Sequence, residues 1–151
     1  MSIKKEPVVI LMADDDDDDF LLTQKALKAS KLLNTLVRVN DGEELLDYLM
    51  KRGEYEHKET LRPGIILLDL NMPRKDGREA LREIKEQEHL RNIPVVVFTT
   101  SKAEQDIFRT YQLGVNSFIT KPVTFSNLQE VITSLGRYWF EIVELPTGDA
   151  E

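Results

Sequence analysis

Five polar residues stand directly after short apolar runs of this chain, and their types suit phosphoryl chemistry. They are Asp14, Asp15, Asp69, Thr99 and Lys121. Three ionised carboxylates about 5 Å apart would repel one another by roughly 3 kcal/mol per pair at an effective dielectric near 20. A cation must therefore lie among them, or their pKa values must rise. Oxygen ligands favour Mg²⁺, and a carboxylate beside Mg²⁺, a hydroxyl and an ammonium group suits the acceptance of a phosphoryl group.

Alternating strand and helix patterns predict how these residues meet. Short apolar runs predict five strands, at residues 8–12, 36–39, 65–68, 93–98 and 117–120. Helical spacing predicts five helices, at about residues 19–30, after the capping residue Asp41, at 78–88, between 101 and 114, and from 124 to 138. This alternation is typical of an α/β domain whose parallel strands end at one edge of the sheet. The second strand is expected to contribute no comparable polar group.

The composition excludes several other classes of protein. The chain has 151 residues, enough for one domain, with 20 basic and 27 acidic residues and a net charge of −7. The absence of a basic cluster disfavours nucleic-acid binding. With no cysteine there are no disulfides, thiolate zinc sites or cysteine nucleophiles. Apolar runs far below about 18 residues and the lack of a signal-peptide pattern predict a soluble, cytoplasmic protein without a membrane partner. No nucleotide-binding glycine motif is present.

Four segments together resemble the receiver domain of two-component response regulators. They are Asp14-Asp15, Asp69-Leu70-Asn71-Met72-Pro73 followed by Asp76-Gly77, Thr99-Thr100, and Lys121-Pro122. The resemblance covers roughly residues 7–138 and implies a CheY-like flavodoxin fold, a doubly wound five-stranded parallel sheet with strand order 2-1-3-4-5. We take residues 7–146 as a single receiver domain that includes a C-terminal extension at 139–146, with tails at 1–6 and 147–151.

The resemblance implies a phosphoacceptor and a metal site. Asp69 would accept a phosphoryl group from the phosphohistidine of a histidine kinase. Asp14, Asp15, Asp69 and the main-chain carbonyl of Asn71 would hold Mg²⁺, with Asp14 acting through water.

The resemblance also implies a switch. Thr99 would donate a hydrogen bond to the phosphoryl group and Lys121 would pair with it. Phe118 stands where the family places its switch aromatic, often Tyr, so a readout through a tyrosine hydroxyl is missing here. Lys121-Pro122 resembles the cis peptide bond of the family.

Further segments resemble the single-domain regulators that pair with bacterial phytochromes. They are the polar loop before Arg62-Pro63, Phe98-Thr99-Thr100-Ser101-Lys102, Gly114-Val115-Asn116, and Trp139 to Pro146. This resemblance predicts a phosphorelay response regulator without an output domain, whose partners are a phytochrome-like histidine kinase and a downstream protein or a second copy of itself. Its only reactions would be its own phosphorylation and dephosphorylation, so it is not predicted to be an enzyme.

Two other functions remain open from the residues alone. A haloacid-dehalogenase-like phosphatase would use Asp69 as nucleophile. Such enzymes carry an Asp-x-Asp motif here, and their second acid protonates the leaving group. Asn71 stands at that second position and cannot do so. A degenerate receiver would act only as a protein-binding scaffold, and the filling of all five key positions speaks against it.

The acidic run and the C-terminal aromatic residues give two more predictions. Asp16 to Asp19 are predicted to form a solvated loop. Tyr138, Trp139 and Phe140 are consecutive and cannot all face one side of a helix. At least one of them would lack a partner within the chain, which predicts a homodimer.

Overall fold

Strands and helices alternate along the whole described part of the chain. The computed structural model describes residues 9–29, 35–99, 102–110, 115–121 and 123–138. Its elements are β1 Val9–Ala13, α1 Asp17–Ala29, β2 Thr35–Val39, α2 Gly42–Met50, β3 Ile65–Asp69, α3 Gly77–Glu86, β4 Val95–Thr99, α4 Lys102–Thr110, β5 Val115–Thr120 and α5 Phe125–Tyr138, with a 3-10 turn at Gly53–Tyr55. The five predicted strands lie within two residues of the observed strands. Among the described residues, no helix has the length and apolar character needed to span a membrane.

The strands form one parallel sheet in the order β2-β1-β3-β4-β5. This order confirms the CheY-like arrangement that the resemblance implies. All carboxyl ends therefore lie along one edge, with β1 and β3 adjacent to each other. Because Ala13 pairs with Leu68, the next residues, Asp14 and Asp69, leave the sheet side by side.

Each face of the sheet carries its own apolar core. On one face Leu46 of α2 and Ile84 of α3 pack against strand residues such as Leu68. On the other face Leu27 of α1 and Leu128 of α5 pack in a second cluster. All five residues of β3 and of β4 are buried, as expected for strands covered on both sides. Asp69, the last residue of β3, is buried for the same reason.

The acidic run begins a helix, so the predicted loop is wrong for Asp17 to Asp19, and the predicted exposure is wrong for Asp19 but right for Asp16 to Asp18. The Asp16 carboxylate accepts hydrogen bonds from the N–H groups of Asp18 (2.8 Å) and Asp19 (3.4 Å). Asp17, Asp18 and Asp19 then form the first turn of α1. Free N–H groups and the helix dipole stabilise acids at this position, which explains why α1 begins two residues earlier than predicted.

The predicted cap of α2 is confirmed. The Asp41 carboxylate accepts a hydrogen bond from the Glu44 N–H (2.8 Å), and the Glu44 carboxylate accepts one from the Asn40 N–H (2.9 Å). The second bond reaches one residue further back than in the usual capping box. This cap fixes the chain where it leaves the carboxyl end of β2.

Gly77 allows α3 to begin directly against the end of β3. Its N–H donates to the Leu70 carbonyl (3.0 Å). A Cβ atom on this residue would lie 2.4 Å from the Asp69 carbonyl oxygen and 2.7 Å from the Leu70 Cα. A side chain of any size would therefore push the start of α3 away from the backbone that carries Asp69.

We expect Gly77→Ala to lower the free energy of unfolding by about 1–3 kcal/mol, as overpacking typically does. Helix propensity alone would instead favour alanine by up to about 1 kcal/mol. Chemical denaturation measures the difference. Arg82→Ala, at an exposed position of the same helix, serves as the control and should stay within about 0.5 kcal/mol of wild type. A Gly77→Ala protein as stable as this control would contradict the close contact.

Candidate functional site

Three of the predicted carboxylates meet at the carboxyl edge of the sheet. Oxygen atoms of Asp14, Asp15 and Asp69 all lie within 4.8 Å of one another. Asp14 and Asp69 are buried, whereas Asp15 is exposed. The adjacent strands β1 and β3 place them, as the parallel register requires. The cluster thus combines two buried acids with one acid that is open to solvent.

The position and hydrogen bonding of Asp14 suit it to act as a ligand of a cation. Its Oδ1 accepts a hydrogen bond from the Asp16 N–H (2.8 Å), while its buried Oδ2 has no hydrogen-bond partner in the described part of the chain. Burial raises the pKa of Asp14 to about 8, and the neighbouring Asp19 and Asp69 carboxylates act in the same direction. An unpaired buried carboxylate oxygen is unfavourable unless a cation pairs with it. Three carboxylates with only oxygen donors fit a hard divalent cation.

Asp69 is held by two contacts. Its Oδ2 lies 2.8 Å from the Lys121 Nζ, and its Oδ1 accepts a hydrogen bond from the Asn71 N–H (3.0 Å). Burial alone would lower the pKa of Lys121, but the hydrogen bond to Asp69 and the charges of the nearby acids raise it above its usual range. Lys121 therefore stays protonated and compensates part of the negative charge of the cluster.

Thr99 lies at the same edge and shares a backbone contact with Lys121. It ends β4 and is buried. Its carbonyl accepts a hydrogen bond from the Lys121 N–H (3.0 Å). Phe118, in β5, is half-buried and packs against the core on the α2 and α3 face. Its role as a switch stays a prediction.

Some predicted residues lie outside the described part of the chain. Pro122 is among them, so the cis peptide bond stays a prediction. Tyr138 ends α5, but its side chain, Trp139 and Phe140 are not described. The C-terminal extension and the homodimer therefore also stay predictions.

Two residues that border the site are not expected there from the sequence. β2 was expected to contribute nothing, but Arg38 donates from Nε to the Asp14 carbonyl (3.0 Å) and from Nη1 to the Asp17 carboxylate (2.7 Å). The available signal was that Arg38 is the only charged residue of β2. Asp19 is expected from the sequence to be solvated, but it is buried, and its pKa is raised by burial beside the other acids.

The chain is similar in sequence to known signalling proteins. Residues 10–133 match the response regulator receiver domain family. The response regulator Rcp1 of Synechocystis sp. is 43% identical over 127 residues, which cover 84% of this chain and 85% of that protein.

Solved structures show the same relationship. The crystal structure of the phosphorylated cyanobacterial phytochrome response regulator RcpA has a TM-score of 0.75 and 43% identity, covering 90% of this chain and 96% of that one. The manganese-bound form of response regulator Rcp1 has a TM-score of 0.74 and 42% identity, with the same coverage of 90% and 96%. The chain therefore belongs to the receiver domain family and is a response regulator of two-component signalling, homologous to regulators associated with phytochromes.

Proposed function

We propose that this protein accepts a phosphoryl group on Asp69 from a histidine kinase and changes its conformation or assembly in response. The observation that carries the proposal is the setting of Asp69. Its buried carboxylate is paired with Lys121 at 2.8 Å and lies within 4.8 Å of Asp14 and Asp15. A nucleophile, a fixed ammonium group and a cation-binding acid pair are the components that phosphoryl transfer to a carboxylate needs.

The residues of the chain define the transfer step. A carboxylate oxygen of Asp69 attacks phosphorus, the bond from phosphorus to the kinase histidine breaks, and the nitrogen leaves with its electron pair. The product is an acyl phosphate. Lys121 then pairs with a phosphoryl oxygen, and the Thr99 hydroxyl donates a hydrogen bond to another. Autophosphorylation from a small phosphodonor follows the same course with a different leaving group.

The proposed cation is Mg²⁺. Asp14, Asp15, Asp69 and the main-chain carbonyl of Asn71 would hold it, with Asp14 acting through water. Two features support this assignment: Asp14 Oδ2 has no hydrogen-bond partner among the described residues, and the donor set consists only of oxygen atoms. The manganese-bound form of Rcp1 supports a divalent cation. When bound, the ion neutralises charge on the transferred oxygens.

The acyl phosphate is proposed to act as a signal and not as a turnover intermediate. Asn71 stands where a phosphatase of the haloacid-dehalogenase type would place its general acid, and an amide cannot protonate a leaving group. Hydrolysis is thus limited to slow self-dephosphorylation. Membership of the receiver family disfavours the phosphatase alternative. The assembled acid cluster with its paired lysine disfavours a scaffold without phosphorylation.

The proposed readout passes through Thr99 and Phe118. Phosphorylation would draw the Thr99 hydroxyl toward Asp69, and Phe118 would respond by a change in packing, since it has no hydroxyl to bond. The proposed kinase is a phytochrome, because RcpA is a phytochrome response regulator of 43% identity. The downstream partner would be another protein or a second copy of this chain.

Labelling with acetyl phosphate and Mg²⁺ tests the phosphoacceptor. We expect one phosphoryl group per wild-type chain by intact-protein mass spectrometry, and none on Asp69→Asn, because the amide is not a nucleophile of comparable strength. Asp47→Asn is the matched control, since Asp47 lies on α2, outside the acid cluster, and pairs with Arg52 beyond the end of that helix. Equal labelling of Asp69→Asn and wild type would disprove the assignment.

Asp14→Asn tests the cation site in two ways. Without metal, we expect the variant to be more stable than wild type by about 1–3 kcal/mol at neutral pH, because folding then no longer requires a buried carboxyl group to take up a proton. With Mg²⁺, wild type should gain stability and the variant much less.

The pH dependence of this difference has a defined sign. Folding raises the pKa of Asp14 from 3.8 to about 8, so the folded state holds a proton that the unfolded state has lost in that range. The stability of metal-free wild type should therefore fall relative to Asp14→Asn as pH rises through this range, and the difference should level off above it. Thermal unfolding in EDTA measures it, and a pH-independent difference would contradict the assigned burial.

Phosphotransfer from purified histidine kinases tests the partner. We expect a phytochrome kinase to label the protein at least about tenfold faster than a chemotaxis kinase does, since specificity rests on differences in complementarity. Asp69→Asn, which should take no label from either kinase, controls for adventitious labelling. Faster transfer from the chemotaxis kinase would refute the phytochrome partnership and leave Asp69 as the acceptor.

A further inference from the structure

Arg38 connects the edge strand β2 to the loop that carries Asp14 and Asp15. Its Nε donates to the Asp14 carbonyl (3.0 Å), and its Nη1 lies 2.7 Å from the Asp17 carboxylate. The guanidinium carbon lies 5.1 Å from the centre of the Phe20 ring. The Arg38 side chain is only 19% exposed. Two hydrogen bonds and an aromatic face therefore fix the plane of this guanidinium group.

The Nε contact extends the pairing of β1 with β2 beyond the last strand residues. The Asp14 N–H donates to the Val39 carbonyl (3.1 Å), as in a regular parallel ladder. In such a ladder the next bond would join the Asp14 carbonyl to the N–H of Asp41. The chain has left the sheet there, because Asp41 caps α2. Arg38 supplies the donor in its place.

These contacts hold the backbone of Asp14 on both sides. Val39 binds its N–H and Arg38 binds its carbonyl, while its Oδ1 holds the Asp16 N–H (2.8 Å). The loop is thereby fixed in the conformation in which Asp14 and Asp15 reach within 4.8 Å of Asp69. Arg38 also pairs with Asp17, the fourth of the six consecutive aspartates after β1.

We propose that Arg38 is a positioning residue for the acid pair Asp14 and Asp15 and thereby strengthens divalent-cation binding at this site. The inference rests on the proposed function of the site. The direction in which cation binding changes when Arg38 is removed distinguishes a positioning role from an effect of its charge. As a bare positive charge, Arg38 would weaken cation binding, and its removal would tighten it. As a positioning residue, it must strengthen binding despite its charge.

Isothermal titration with Mg²⁺ of wild type, Arg38→Ala and Arg38→Lys tests the proposal. We expect Arg38→Ala to bind Mg²⁺ about tenfold more weakly, which is a typical loss when a residue that orients metal ligands is removed. Arg38→Lys keeps the charge, but one ammonium group does not reproduce the planar fork, so its affinity should lie between the two. Affinity of Arg38→Ala equal to or tighter than that of wild type would overturn the proposal, as would full affinity in Arg38→Lys.

Arg52→Ala is the matched control. It removes an arginine that, like Arg38, pairs with an aspartate carboxylate. The partner is Asp47, 3.0 Å from the Arg52 Nε and away from the acid cluster. We expect its Mg²⁺ affinity to equal that of wild type. A loss as large as in Arg38→Ala would show a general effect of removing an arginine and would overturn the proposal.

Amide hydrogen exchange of the metal-free protein gives a second readout that does not need the cation. In Arg38→Ala, the N–H groups of Asp14 and Asp16 should exchange several-fold faster than in wild type, while those of the central strand β3 keep their rates. Unchanged exchange at Asp14 and Asp16 would overturn the positioning role. If wild type bound no Mg²⁺, the proposed metal site would fail, and this exchange measurement would still decide whether Arg38 positions the loop.

Discussion

The repulsion among carboxylates held together at the edge of an apolar sheet is the constraint on which the rest of this structure depends. Asp14 and Asp69 are buried because they follow strands covered on both faces, and the register of β1 with β3 sets them side by side. In the protein alone, Lys121 offsets part of this charge through its 2.8 Å contact with Asp69. Burial, together with the negative charge that remains, raises the pKa of Asp14. The proposed cation and the proposed phosphoryl group are two ligands that would compensate such an arrangement together.

Much of the surrounding backbone serves to hold this unfavourable cluster in place. The fully buried strands β3 and β4 form a rigid base, and Gly77 lets α3 close against the chain just beyond Asp69. On the opposite side, Arg38 ties the loop after β1 to β2. The apolar cores on both faces provide the favourable free energy that balances the charge. The site is thus preorganised before any phosphoryl group arrives, which is how charged sites achieve chemistry without reorganisation.

The contacts of Lys121 connect the site to the strands beside it. Lys121 pairs with Asp69 through its side chain and with the Thr99 carbonyl through its backbone N–H, so the ends of β3, β4 and β5 are linked. A phosphoryl group on Asp69 would compete for Lys121 and for the Thr99 hydroxyl at once. Phe118 lies in β5, three residues before Lys121, and packs into the core of the α2 and α3 face. Changes at the phosphoryl site would therefore reach that face through β4 and β5.

The sequence by itself predicted the elements, their order and the acids, the hydroxyl and the lysine at the carboxyl edge of the sheet, but not Arg38 beside them. Uninterrupted apolar runs specify buried strands, and the family motif supplied the strand order and the identities of Asp14, Asp15 and Asp69. Only the tertiary structure decided that Asp17 and Asp18 belong to the first turn of α1 and that Arg38 holds the Asp14 carbonyl. It also decided that Asp14 Oδ2 is buried and lacks a hydrogen-bond partner within the described ranges of the chain. The physical reason is that periodicity encodes local burial, whereas the pairing of a side chain with a distant backbone group depends on the register between strands.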